Sequence, residues 1–249
     1  MSIEEKIETI AKNVPEVYEA GKQAEYDRFW DEFQQNGLRK DYWYAFSGTG
    51  WPKVLNPKYN IVFKEKIKTE RFCQGMFYAF NRDRTMGEQM DVSEICSKID
   101  FSGCLSANFV FAQAKIKNVF CDFGNCIQLS NTFNCNDGGS IDYIYLKVTE
   151  KCTEFSSTFL YCVNLTDIRF TEDSSIAADI SLDRSPLNKE SIENIINTLS
   201  PTVINKTLKL KKTAVDNAFE TLSGQADGSV SEEWEQLKNS KSNWIINLM

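Results

Sequence analysis

The sequence predicts an α/β fold in which one short strand recurs about every 25 residues and successive turns of chain stack on one another. Two sets of landmarks carry that expectation. The segments "LSANF" (105–109), "LSNTF" (129–133) and "FSSTF" (155–159) align on Phe109, Phe133 and Phe159, with steps of 24 and 26 residues. Downstream of each lies an alternating strand: Val119-Phe120-Cys121, Ile144-Tyr145-Leu146 and Ile168-Arg169-Phe170, with steps of 25 and 24. Cys126 and Cys152 each stand three residues before the second and third segments.

A period of 20–29 residues with one short strand per unit is the signature of a leucine-rich-repeat solenoid. Each unit makes one right-handed coil. Its strand joins a parallel sheet, and its F-x-x-[CA] turn packs on the opposite side. "EFSSTFLYCVNLTDIRF" (154–170) is one such coil, with Phe155, Phe159, Cys162, Leu165, Ile168 and Phe170 turned to the axis. Cysteine suits that axis because it is small and apolar. "CQGMFYAF" (73–80) reads as a worn earlier unit, and the solenoid is assigned to 73–183.

End coils expose core and need caps. Residues 184–249 read as an α/β cap. Ile192, Ile195, Ile196 and Leu199 form a helical stripe after Asn188, a predicted N-cap with Glu190 in the first turn. "TLKL" (207–210) is a short strand. Val215, Ala218, Phe219 and Leu222 share one helix face, ending at Gly224. Ser229 and Glu232 have capping-box spacing, and "NWIINL" closes the chain as a strand with Trp244, Ile246 and Leu248 on one side.

At the other end, residues 1–37 form a helical segment. Ile3, Ile7, Ile10, Val14 and Val17 alternate steps of four and three, a coiled-coil seam broken at Pro15. Two readings stand side by side: a helix docked on the first coil, or self-association through residues 1–36, most simply as a trimer. Residues 38–72, rich in turn formers up to Tyr59, are an irregular connector followed by a first strand, "NIVF".

Composition excludes much chemistry. With 42% hydrophobic residues in 249, the chain can build one sizeable core or two small domains. Histidine is absent, which removes the Ser-His-Asp triad, the Cys-His dyad and histidine metal sites together. The net charge of −7 with dispersed Lys and Arg argues against nucleic acid as a partner. No apolar run reaches membrane-spanning length, and the acidic amphipathic start is unlike an export signal, so the expectation is synthesis in a cytoplasm. The eight cysteines lack any CxxC pair and are expected as free buried thiols. "SGTG" (47–50) lacks the lysine of a phosphate loop, "DGG" (137–139) reads as a turn, and Cys121 beside Asp122 points inward with no base to activate it. No cofactor, metal site or catalytic residue is expected, and the chain is read as a non-enzyme.

A binding face follows from the strands. If Val119, Cys121, Ile144, Leu146, Ile168 and Phe170 turn inward, the residues between them turn out. Phe120, Tyr145 and Arg169 then form one ladder, and Asn118, Tyr143 and Asp167 the next. Two aromatics and an arginine fit a protein or a cell-surface glycan. The same patch could instead receive the N-terminal helix or another subunit.

The coils and the cap "LDRSPLNKESIENIINTLS" resemble the BspA-like leucine-rich repeats. The start "IETIAKNVPEVYEAGKQAEYDRFWDEFQQNG" and the end "AVDNAFETLSGQADGSVSEEWEQLKNSKSNWIINL" resemble phage and prophage proteins of Firmicutes that join a helix to such repeats. The middle, "NCNDGGSIDYIYL", departs from the usual F-x-x-C-x-x-L coil. The resemblance implies a tail- or baseplate-associated interaction protein that reaches the exterior on a particle or by lysis. The alternative is a free adhesin-like module acting as a monomer.

Overall fold

A computed structural model describes residues 67–68, 93–97, 99–135, 140–219 and 231–249. The expectations for residues 1–37, "NIVF" and "CQGMFYAF" lie outside these. The elements in chain order are β1 (Ile67–Lys68), α1 (Ser93–Cys96), β2 (Ile99–Asp100), β3 (Lys115–Ile116), β4 (Val119–Asp122), β5 (Ser140–Ile141), β6 (Tyr143–Lys147), β7 (Asp167–Phe170), β8 (Ile180–Leu182), α2 (Lys189–Thr198), β9 (Lys206–Leu210), α3 (Lys212–Phe219), α4 (Glu232–Asn239) and β10 (Trp244–Leu248).

Among the described residues all the strand pairs are parallel. In the central sheet β4 pairs with β6 and β6 with β7, with Val119, Ile144 and Ile168 abreast and Cys121, Leu146 and Phe170 abreast. A parallel pair needs a long crossover, and here each crossover is one turn of chain. On the far side of that turn single bridges join Ser106 to Gln128 and Gln128 to Glu154, again in parallel. Between the two lines of pairing the apolar side chains meet in one core that runs from Cys96 to Trp244.

The turn side has a different register from the one the sequence suggests. The Phe111 N–H donates to the Thr132 carbonyl, and the Phe133 N–H to Thr158. That sets Phe111, not Phe109, beside Phe133 and Phe159. The rings stack at 5.4 Å and 15° for Phe111–Phe133, and at 5.6 Å and 6° for Phe133–Phe159. Burying each such ring is worth roughly 2–3 kcal/mol. Phe109 shares its place with Asn131 and Ser157, and all three have positive φ, between 53° and 59°. The left-handed region suits asparagine and penalises a bulky side chain; that penalty separates Phe109 from its equivalents. Thr132 and Thr158, buried beside the stack, turn their hydroxyls onto the Leu129 carbonyl at 2.6 and 2.7 Å, so the tight turn leaves this acceptor satisfied.

The cysteines line the same axis. Cys96, Cys121, Cys126, Cys135, Cys152 and Cys162 are free and buried. Cys104 departs from the expectation of free thiols: it is disulfide-bonded.

Beyond β7 a helix replaces the next strand. α2 buries Ile192, Ile195 and Ile196. Its cap is Asn188, whose side chain accepts from the Ser191 N–H at 2.8 Å. β8, which precedes α2, joins β9 and β10, which follow it, in another parallel sheet ordered β10-β9-β8. α4 is capped by Ser231, which accepts from the Trp234 N–H at 3.1 Å. The cap is therefore not the predicted Ser229: the helix starts at Glu232, and Ser231 caps it with Trp234 three residues on, so the capping-box spacing of Ser229 and Glu232 is not the one used. Trp234 packs on Phe219 at 5.4 Å, and the Trp244 indole N–H donates to the Ser200 carbonyl at 2.9 Å.

Candidate binding surface

The solvent face of the central sheet is made by strand alternation. β4 runs buried, exposed, buried, half-buried; β6 repeats the pattern one residue out of phase. Val119 and Cys121 in β4, and Ile144 and Leu146 in β6, fill the core. The residues between them have nowhere to go but outward.

The register places Phe120 beside Tyr145 and Tyr145 beside Arg169. The two rings are 5.3 Å apart at 48°. Phe120 is 49% exposed and Tyr145 36%, a large uncovered apolar area for a ring pair already in contact. Arg169 is anchored rather than loose, because its Nε donates to Asp167 at 2.7 Å. The same Asp167 oxygen accepts from the Ser191 hydroxyl at 2.7 Å, so α2 fixes the edge of the face. Tyr143 pairs with Asp167, and the exposed Asn118, at φ 54°, donates its N–H to the Tyr143 carbonyl at 3.1 Å. The six surface residues singled out from the sequence thus lie on two adjacent rows. The association residues Ile3, Ile7, Ile10, Val14 and Val17 lie outside the described part of the chain.

A third row went unread in the sequence: Asp122 beside Lys147. One further step of the same alternation would have found it. Asp122 accepts from the Gly124 N–H at 2.9 Å. Lys147 reaches Asp173 at 2.5 Å, and that carboxylate holds the ammonium above its ordinary value. A side chain at Gly124 would come within 3.3 Å of Lys147. The face is therefore two aromatic rings rimmed by two ion pairs, Arg169–Asp167 and Lys147–Asp173.

Burial pushes the thiols of Cys121 and Cys126 far up and that of Cys152 to about 12, the opposite of what a cysteine nucleophile needs. Among the described residues no cluster of three or more His, Cys, Asp or Glu is arranged to hold a metal, and no helix is long and apolar enough to cross a membrane. A scan of protein-family models and searches of curated proteins and of solved structures return no match to this chain.

Proposed function

We propose that this chain is a BspA-like leucine-rich-repeat solenoid that acts as a non-enzymatic interaction protein, carried on a phage or prophage tail or baseplate. Its partner is a cell-surface glycan or a protein. The observation that carries the binding role is the Phe120–Tyr145 ring pair, exposed on a sheet face and rimmed by anchored charges. The parallel pairing at steps of 24 and 25 residues supports the solenoid. The assignment to a particle rests on the resemblance of the two ends of the sequence and on the seam through Ile3, Ile7, Ile10, Val14 and Val17.

The test has two parts. Light scattering after size exclusion gives the solution mass of the full chain and of a chain lacking residues 1–36. A trimer that becomes a monomer on truncation supports attachment through the N-terminal helix; a full-length monomer favours the adhesin-like reading. Binding of the full chain to host cells is then compared with Phe120→Ala/Tyr145→Ala. A loss of about tenfold or more, with an unchanged urea midpoint, is expected if the ring pair is the anchor. Unchanged binding sinks this face as the site.

A further inference from the structure

Cys135 and Cys162 stand on adjacent coils, 27 residues apart, with their sulfurs 3.3 Å from each other. Both also point at one acceptor, the Phe133 carbonyl, at 3.4 Å from Cys135 and 3.1 Å from Cys162. The two thiols are thus held on the same spot by the backbone turn that carries the Phe133–Phe159 stack. A disulfide requires the sulfurs to close by only about 1.2 Å to reach ~2.05 Å. Both cysteines are free.

We propose that Cys135 and Cys162 form a latent inter-coil disulfide, a modification site whose co-reactant is a small-molecule disulfide such as oxidised glutathione. Cys135 is 5% exposed and Cys162 1%, so Cys135 is the thiol the oxidant meets first, during local opening of the turn. The Cys135 thiolate attacks one sulfur of glutathione disulfide, giving a mixed disulfide and one glutathione. Cys162 then attacks Sγ of Cys135 and expels the second glutathione. Two electrons pass from the protein to the oxidant, the two thiol protons leave with the glutathione, and one protein S–S bond forms. Burial holds the Cys162 thiol protonated far above neutral pH, so closure is slow and is set by opening rather than by encounter.

The consequence is a staple across the coil stack, independent of what the outer face binds. A reducing cytoplasm keeps it open, and an oxidising exterior closes it. In the closed state the unfolded chain carries a loop spanning Cys135 to Cys162, which it must keep on unfolding.

The test uses the full chain, purified reduced and incubated in glutathione redox buffers of rising potential. Aliquots are quenched in acid, alkylated under denaturing conditions and mapped by mass spectrometry. A peptide pair joining Cys135 to Cys162, lighter by two hydrogens, is expected. Its appearance should accompany a rise in melting temperature about 5–10 °C larger than that of Cys135→Ser or Cys162→Ser, whose own rise reports only the Cys104 bond. Peptide mapping of the wild-type chain needs no variant, so a variant that fails to fold leaves the test intact. Alkylation or stable glutathione adducts at both cysteines in the most oxidising buffer overturn the proposal, as does pairing of either with a different cysteine.

Discussion

The side-chain amide of Asn194 holds the backbone of Phe170 as a neighbouring strand would. The Phe170 N–H donates to Oδ1 at 2.6 Å, and Nδ2 donates back to the Phe170 carbonyl at 3.1 Å. Two residues earlier the Ile168 N–H donates to the Ser191 hydroxyl at 3.0 Å. An open strand edge invites pairing with another chain; here a helix closes it with side chains.

Asn194→Ala should therefore cost roughly 2–3 kcal/mol, because two backbone groups lose partners in a part-buried place. Urea unfolding measures this, with Asn197→Ala, exposed on the same helix, as the control that should change little. Increased association of the Asn194 variant, read by light scattering, is the second expected sign.

The ring stack makes a sharp comparison. Phe111→Ala should lose about 3–5 kcal/mol by opening a cavity beside Phe133. Phe109→Ala, at a half-buried position of positive φ, should lose clearly less. Equal losses would mean that the register on the turn side is misread.

Ser185 is fully buried, and its hydroxyl has no hydrogen-bond partner among the described residues. Removing an unsatisfied buried hydroxyl relieves its desolvation, so Ser185→Ala should be neutral or stabilising by up to about 1 kcal/mol. A loss greater than that, seen as a lowered urea midpoint, would reveal a bond made by this hydroxyl.

Acid should weaken the fold through two exposed carboxylates. Hydrogen bonds from the Ser200, Ser175 and Thr202 hydroxyls lower the Glu150 value, and Lys147 with Thr171 lowers that of Asp173. A depressed folded value means the stabilisation is complete above the unfolded carboxylate range and is lost as pH falls through the folded value. The urea midpoint should stay level from neutral pH down to the ordinary carboxylate range and fall below it. Glu150→Gln with Asp173→Asn should flatten that fall, though only slightly, since water screens exposed groups.

The strand side of the coils was legible because alternation is a local code. Val119, Cys121, Ile144 and Leu146 announce their inward side, and Phe120 and Tyr145 follow from it. The turn side was not, because Phe109 and Phe111 are two residues apart and both fit an anchor pattern. What separates them is a backbone dihedral, which no side-chain pattern states. The third row, Asp122 and Lys147, follows from the same alternation one step further along each strand. Asn194 and Ser191 look in the sequence like polar positions on an amphipathic helix, until the bare edge of β7 is beside them. The bonded state of Cys104 has no signature in spacing alone.

The closure of β7 by α2 also sets how the molecule could change length. A new coil cannot be appended after β7, since the edge it would use is already occupied by Asn194 and Ser191. The coil that carries β6 has strand partners on both sides, β4 and β7. Growth by internal duplication of that coil would leave the cap untouched and add one more outward position to the aromatic row. The reach of the candidate face is then a count of rungs that gene duplication can alter one at a time, while the terminal fastening stays the same.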